Sequence, residues 1–246
     1  MSASTAATEG PEWGARAEAW AEHWGPFAEA ARRAVAAELG LGAGMRVLDI
    51  GCGSGEFVAL AAELGADTSG IDAAEGMLAV ARRRAPAADL RAGPMESLPW
   101  PDGTFDAVTA FNALQFAADF RTALAEAARV TRPGGHIAIC NWSSGDLPTV
   151  FARSRDPAPP SPGPEPPAVR EPGVLESECR AAGLEPVAAA EVDLPYEAAD
   201  FAAFERAVRE GAGIHADWLG DAAAPYRRAD GSYRFESRFR YVVARV

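Results

Sequence analysis

The chain has 246 residues, 48% of them hydrophobic, and its formal net charge is −12. This length and apolar fraction suit a single α/β domain with additional segments, and an acidic chain without a basic stretch argues against a nucleic-acid partner. Cys52, Cys140 and Cys179 are too widely spaced to indicate a disulfide framework or a metal site, and no apolar run is long enough to span a membrane. We therefore expect a cytoplasmic protein, a monomer or homodimer without a membrane partner.

The first long segment, residues 11–39, predicts a helix that carries Trp13, Trp20 and Trp24 among many alanines. From residue 45 short apolar strands alternate with helices. Strands are predicted at 45–50, 67–71, 88–92, 105–111 and 136–142, and helices at 55–64, 75–84 and 119–130. This alternation predicts right-handed βαβ units and a parallel sheet.

The composition changes over residues 156–172, which are rich in proline and so predict an irregular loop. The elements predicted after this loop are a helix at 173–182, a strand at 186–194, a helix at 197–210, an irregular stretch to about 228 and a strand at 233–246. The final strand has a β-branched, apolar centre.

The strongest local signal is the glycine-rich run at 51–55, which lies between a predicted strand and a predicted helix. Glycines at Gly51 and Gly53 allow a sharp turn and a close approach to a ligand. Asp72 follows at the end of the next strand, where a carboxylate can accept the two hydroxyls of a ribose. The pattern predicts a nucleoside site.

The spacing of the glycines argues against a dinucleotide. Glu56 occupies the position of the third glycine in the dinucleotide pattern, and its carboxylate would repel a pyrophosphate. A nicotinamide-dependent oxidoreductase is therefore disfavoured. A nucleoside that carries an amino acid and a cationic sulfur suits this acidic loop better.

Five motifs occur in a fixed order between residues 45 and 142. They are DIGCGSG at 49–55, GID at 70–72, Met77 within EGML, LPWPDGTFD at 98–106 and RVTRPGG at 129–135. In this order they resemble the class I S-adenosylmethionine-dependent methyltransferases, in particular the small-molecule type similar to ubiquinone and menaquinone methyltransferases. The resemblance implies S-adenosylmethionine as cofactor. It also implies a Rossmann-like three-layer αβα sandwich with a seven-stranded, mostly parallel sheet and an antiparallel last strand.

The resemblance also implies which residues contact the cofactor. The expected contacts are Trp20, Gly51, Cys52, Gly53, Asp72, Ala73, Met77, Met95, Glu96 and Phe111. One departure concerns the adenine amine, because Pro94 stands where the family often has Asp. We expect the backbone of Met95 or the carboxylate of Glu96 to replace that contact.

The methyl acceptor is less defined by the sequence. The Asn/Asp-Pro-Pro-Tyr run of amide and base methyltransferases is absent after residue 111, and so is a Pro-Cys nucleophile. A small molecule remains, for example a natural product or another secondary metabolite. Trp24, Gln115 and Trp142 are the expected substrate contacts, although core packing is the alternative for both tryptophans.

His215 is the candidate general base for a hydroxyl acceptor, whereas a carboxylate acceptor needs no base. The expected organisation is a helical lid at 1–40, an S-adenosylmethionine-binding core at 41–145, a Pro-rich loop at 146–172 and a C-terminal part of the same domain at 173–246. An S-adenosylmethionine-binding domain without methyl transfer, with a cyclase-like or binding role, remains the alternative function.

Overall fold

A computed structural model describes residues 10–152 and 167–246 of the chain. Its main sheet has seven strands in the order β3-β2-β1-β4-β5-β9-β6. The strands are β1 (Arg46–Ile50), β2 (Asp67–Asp72), β3 (Asp89–Ala92), β4 (Phe105–Phe111), β5 (Thr131–Gly145), β6 (Glu185–Asp193) and β9 (Ser237–Arg245). Strands β1 to β5 pair in parallel with one another, and β9 runs antiparallel to both β5 and β6.

Helices cover both faces of this sheet because its central strands are apolar on both sides. One face carries α3 (Glu29–Glu38) and α4 (Glu56–Glu63), whose buried residues pack on β1, β4, β5 and β9. The other face carries α6 (Phe120–Val130) and α8 (Val174–Ala181). The helix α5 (Glu75–Arg84) connects β2 to β3. The predicted Rossmann-like αβα sandwich with an antiparallel last strand is confirmed.

The N-terminal segment differs from the single helix predicted at 11–39. It forms α1 (Gly10–Ala15), α2 (Ala17–His23), a 3-10 turn at Gly25–Ala28 and then α3. Pro26 explains the second break, because proline has no N–H and is tolerated only in the first turn of a helix. The helix is therefore interrupted at Gly25, and α1 and α2 pack on α5 and, in the case of α2, on the π-helix at Ala207–Gly211 instead.

Four predictions for the C-terminal half are wrong in detail. Within the predicted loop at 146–172, Asp146–Ala152 forms helix α7, while residues 153–166 lie outside the described residues. The helix predicted at 197–210 is preceded by strand β7 (Tyr196–Ala198) and begins only at α9 (Phe201–Arg206), continuing as a π-helix at Ala207–Gly211. Asp200 explains this start, because its side chain caps the helix by accepting the N–H of Ala203 at 2.8 Å.

The predicted strand at 233–246 is two strands. β8 (Tyr233–Phe235) pairs with β7 in a separate two-stranded sheet, and only β9 joins the main sheet. Glu236 lies between them, and its N–H donates to the Asp146 carboxylate at 2.7 Å while its carbonyl accepts the Asp146 N–H at 2.6 Å. These bonds take the backbone of Glu236 out of the ladder. The stretch predicted to be irregular up to about residue 228 contains a further helix, α10 (Leu219–Ala223), which packs near this small sheet.

We predict that Gly76→Ala destabilises the protein, although alanine favours helices over glycine by about 1 kcal/mol. A Cβ at Gly76 in α5 would collide with the Gly14 carbonyl oxygen of α1, so the backbone of α1 would have to move. The expected loss in the free energy of unfolding is about 1–3 kcal/mol, measured by urea denaturation. Gly42→Ala is the control, because a Cβ there meets nothing within 4 Å. Equal or higher stability of Gly76→Ala would contradict the close packing of α1 on α5.

Candidate functional site

A cavity of about 540 Å³ opens at the carboxyl ends of β1, β2, β4 and β5. In open α/β sheets this edge, where the strand order reverses, is the usual ligand site. Two groups of lining residues differ in character. The β1–β2 end is lined by the glycine loop and the residues that follow β2, and the β4–β5 end is lined by residues that follow β4 and β5.

The glycine loop forms the floor of the β1–β2 end. Gly53 has a φ of +52°, in the left-handed region that side chains with a Cβ rarely adopt. A Cβ built on Gly53 meets no atom within 4 Å, although Gly53 lines the cavity. Any side chain at this position would therefore occupy ligand space rather than displace protein.

Asp72 holds this loop against the end of β2. One carboxylate oxygen accepts the Gly53 N–H at 2.8 Å, and the other accepts the Ala74 N–H at 2.8 Å. Burial raises the pKa of the Asp72 carboxyl, and the hydrogen bonds from backbone N–H groups oppose that shift. Each oxygen keeps a lone pair beyond these bonds, so Asp72 can still accept ligand hydroxyls.

A second acid, Asp49, lies at the end of β1 and is 4% exposed. Thr109 donates its hydroxyl to Asp49 Oδ1 at 2.7 Å. Burial raises the pKa of Asp49 to about 7, while the Thr109 hydrogen bond and the charge of Arg32 lower it. Asp49 is therefore a group whose charge responds to a nearby cation at neutral pH.

Arg32, on α3, is the buried cation of this end of the cavity. It is 6% exposed and donates to the Gly25 carbonyl. Its buried Nε makes no hydrogen bond among the described residues but forms an ion pair with Glu29 Oε2 at 3.5 Å. Burial lowers the pKa of Arg32, and the carboxylates of Glu56, Glu29 and Asp49 oppose the shift. Glu56 itself accepts the Ser54 hydroxyl at 2.6 Å and pairs with Arg84.

The β4–β5 end is aromatic and carries two amides. Its aromatic wall, defined as Phe27, Trp142, Phe151 and Phe239, lines the cavity. Within the wall the ring centroids of Phe27 and Trp142 are 5.2 Å apart and those of Trp142 and Phe239 are 5.0 Å apart. The amides of Asn112 and Gln115 lie on the same side of the cavity.

Most residues predicted from the sequence line this one cavity. They are Trp20, Trp24, Gly51, Cys52, Gly53, Asp72, Ala73, Met77, Met95, Phe111, Gln115 and Trp142. Trp24 also serves packing, since it is 4% exposed and its indole N–H donates to the Ala207 carbonyl at 2.8 Å.

Two predicted residues are placed elsewhere. Glu96 does not line the cavity, because its carboxylate turns away to accept the Ala118 N–H at 2.6 Å. His215 is exposed and outside the lining, beyond the lining residues Ala212, Gly213 and Ile214. The geometry therefore does not support Glu96 as an adenine contact or His215 as a general base.

Sequence reasoning missed Arg32, Asn112, Phe151 and Phe239 as lining residues, and it used Asp49 only as part of a motif. For Arg32 a signal existed. It lies three, four and seven positions before Val35, Ala36 and Leu39, on the apolar face of α3. An arginine on such a face is buried and needs a polar role.

Metal-binding clusters and membrane-spanning helices are absent from the described ranges, 10–152 and 167–246. Within them no group of three or more His, Cys, Asp or Glu residues has an arrangement that could hold a metal ion. No helix there combines the length and the apolar character that crossing a membrane requires.

Known proteins resemble this chain in sequence. The sequence model of the family described as "Methyltransferase domain" matches residues 48–139. A demethylmenaquinone methyltransferase of Renibacterium salmoninarum is 40% identical over 123 residues, which are 49% of this chain and 52% of that protein. A malonyl-[acyl-carrier protein] O-methyltransferase of Serratia marcescens is 40% identical over 112 residues, 44% of each chain. The chain spans about half the length of these curated relatives.

Among solved structures, the [4+2]-cyclase SpnF matches with a TM-score of 0.63 and 21% identity, covering 99% of this chain and 97% of SpnF. At that identity the likeness supports the fold alone. The matched segment contains the glycine loop, Asp72 and the end of β4, which meet at the cavity. Residues 48–139 therefore form a methyltransferase domain of the class I S-adenosylmethionine-dependent type.

Proposed function

We propose that this chain transfers the methyl group of S-adenosylmethionine to a small molecule bound at the β4–β5 end of the cavity. The observation that carries the proposal is the glycine loop tied to Asp72 beside open cavity space at Gly53. The relatives named above are methyltransferases, which supports transfer over a binding-only or cyclase-like role. A natural-product or other secondary-metabolite acceptor belongs to the same proposal.

The lining residues fit this cofactor by charge and shape. Four carboxylates, of Glu12, Asp49, Glu56 and Asp72, line the cavity, all on elements of the β1–β2 end or on α1. This acidic end suits a ligand with an ammonium group and a cationic sulfur, and Asp72 suits its ribose hydroxyls. The buried guanidinium of Arg32, whose Nε makes no hydrogen bond among the described residues and lies 3.5 Å from Glu29, suits its carboxylate.

In this proposal each group has a defined task. Asp72 orients the ribose, Met77 and Met95 pack around the adenine, and Gly51, Cys52 and Gly53 line the amino-acid part. Trp20, Ala73 and Phe111 complete the enclosure. When bound, S-adenosylmethionine supplies an electrophilic methyl group on a positively charged sulfur.

The acceptor end provides alignment rather than proton transfer. None of the described residues that line the β4–β5 end is a histidine, a carboxylate, a tyrosine or a cysteine. Trp24, Trp142 and Gln115 would hold the acceptor, and holding two reactants in line is itself a large catalytic effect. We therefore propose an acceptor that is already nucleophilic and a reaction that does not need His215. Comparing methyl transfer by the wild type and His215→Asn over pH 6–8 would test this point.

The first prediction tests the cofactor site. Asp72→Ala should weaken binding of S-adenosylhomocysteine by about 2–4 kcal/mol, because hydrogen bonds from ribose hydroxyls to a charged acid are lost. Isothermal titration calorimetry measures the change. The matched control is Asp67→Ala, which removes an exposed carboxylate at the opposite end of the same strand. Undiminished affinity in Asp72→Ala would refute the ribose assignment.

The second prediction concerns Arg32. Arg32→Gln should weaken S-adenosylhomocysteine about tenfold or more, because a charged hydrogen bond to its carboxylate is lost. Affinity for 5′-methylthioadenosine, which lacks the amino-acid part, should change less than about threefold. Arg33→Gln is the control, since Arg33 also pairs with Glu29 but is 61% exposed. Equal losses for both ligands would mean that Arg32 acts through the fold and not through the carboxylate.

The third prediction uses the pKa of Asp49. Below a pKa of about 7 the buried carboxyl is protonated, and binding a cation must then release that proton. Affinity for S-adenosylhomocysteine, which carries an ammonium group, should therefore rise by about threefold or more from pH 6 to pH 8. Asp49→Asn should flatten this dependence. His215→Asn should retain it, because His215 lies outside the cavity lining.

A further inference from the structure

Asn112 ends β4 in an unusual conformation. Its φ is +48°, and no other non-glycine residue among those described has a positive φ. Its backbone N–H donates to the Cys140 carbonyl at 2.8 Å, and its side-chain Oδ1 accepts the Trp142 N–H at 3.0 Å. The side-chain oxygen thus takes the place of the next backbone carbonyl in the β4–β5 ladder. Strain held in this way at a cavity indicates a functional constraint.

These bonds determine which end of the Asn112 amide is engaged. A backbone N–H can pair only with the oxygen of the amide, so the amide nitrogen is the end that remains. The part of the chain that the structure describes offers this nitrogen no hydrogen-bond partner. Asn112 lines the cavity and is half-buried.

Gln115, three residues further along the chain, also has its side-chain oxygen bound by a donor on β5. Its Oε1 accepts the side-chain amide N–H of Asn141 at 2.6 Å, and Asn141 is 3% exposed on β5. The Gln115 oxygen is therefore engaged by a buried donor, and its amide nitrogen has no bonded partner within residues 10–152 and 167–246. Gln115 also lines the cavity. Two amides at the β4–β5 end thus have both oxygens held by β5 and both nitrogens available as donors.

The surroundings of these two donors define the rest of the acceptor. The aromatic wall of Phe27, Trp142, Phe151 and Phe239 provides apolar faces on the same side of the cavity. Of the four lining carboxylates, Asp49, Glu56 and Asp72 belong to the other end, and Glu12 on α1 is paired with Arg16 at 2.7 Å. The described lining of this end also contains no group that could take a proton from an acceptor.

We infer that the methyl acceptor is a carboxylate attached to a flat, apolar body, and that Asn112 and Gln115 are the residues that select it. This inference rests on the proposed function. A carboxylate has two oxygens, so the amides can donate to one while the other attacks the methyl carbon. In that step the oxygen–carbon bond forms, the carbon–sulfur bond breaks and its electron pair goes to sulfur. The product is a methyl ester, both charges disappear and no proton moves.

The test compares two probes that share one ring system and differ in charge. Calorimetry of the full chain with 2-naphthoate and with 2-naphthylmethylamine, an ammonium at neutral pH, measures the preference for an anion. We expect 2-naphthoate to bind about tenfold more tightly or better, the size of one charge-assisted hydrogen bond. Titrations with and without S-adenosylhomocysteine separate this inference from the proposed function. If the chain fails to bind S-adenosylhomocysteine, the proposed function fails, whereas the probe preference is still measured.

Two isosteric variants test the amides themselves. Gln115→Glu and Asn112→Asp each keep an oxygen for the partner on β5 and replace the remaining donor nitrogen by an anionic oxygen. Each should reduce the preference for 2-naphthoate about tenfold or reverse it. The thermal unfolding midpoint and the affinity for S-adenosylhomocysteine, measured alongside, show that the fold and the cofactor end are intact. Binding of neither probe by the wild type, equal binding of both, or an unchanged preference in both variants would overturn the inference.

Discussion

The cavity depends first on one carboxylate that is shared between two loops. Asp72 accepts a backbone N–H from Gly53 with one oxygen and from Ala74 with the other. The loop after β1 and the turn after β2 are therefore fixed relative to each other before any ligand arrives. Such pre-organisation reduces the entropy that a bound nucleoside must overcome. The same two bonds stabilise the buried charge of Asp72. They fix the geometry of the loops and also oppose the rise in the pKa of Asp72 that burial causes.

The charges of the cavity are separated along its length, and that separation follows from the topology. Strands β1 and β2 end in Asp49 and Asp72, whereas β4 and β5 continue into amide and aromatic residues. Because these parallel strands end at the same edge, an acidic region and an apolar region lie side by side in one cavity. An acidic region stabilises a cation, whereas an aromatic region with two amide donors suits a flat, apolar acceptor that carries a hydrogen-bond-accepting group. The sheet order thereby places two chemically different ligands next to each other.

Sequence reasoning predicted the sheet well because alternating strands and helices have few topologies. It also predicted most of the lining residues near the glycine loop, since the motifs there are local. It did less well where the outcome depends on residues far apart in the chain. The orientation of Glu96 is set by Ala118, and the break between β8 and β9 is set by Asp146. The positive φ of Asn112 depends on bonds to β5, which no local pattern around residue 112 contains.

The hydrogen bond from the Trp24 indole to the Ala207 carbonyl joins residues 183 positions apart. Trp24 also stacks on Tyr196, with ring centroids 5.0 Å apart, so the N-terminal helices rest on the C-terminal small sheet and π-helix. Contacts of such long sequence separation form late in folding, because a large loop must close first. During synthesis Trp24 therefore leaves the ribosome long before these partners exist. The nascent chain carries an unsatisfied aromatic surface until residues 196–207 emerge, and that interval is when it is most prone to aggregate or to recruit a chaperone.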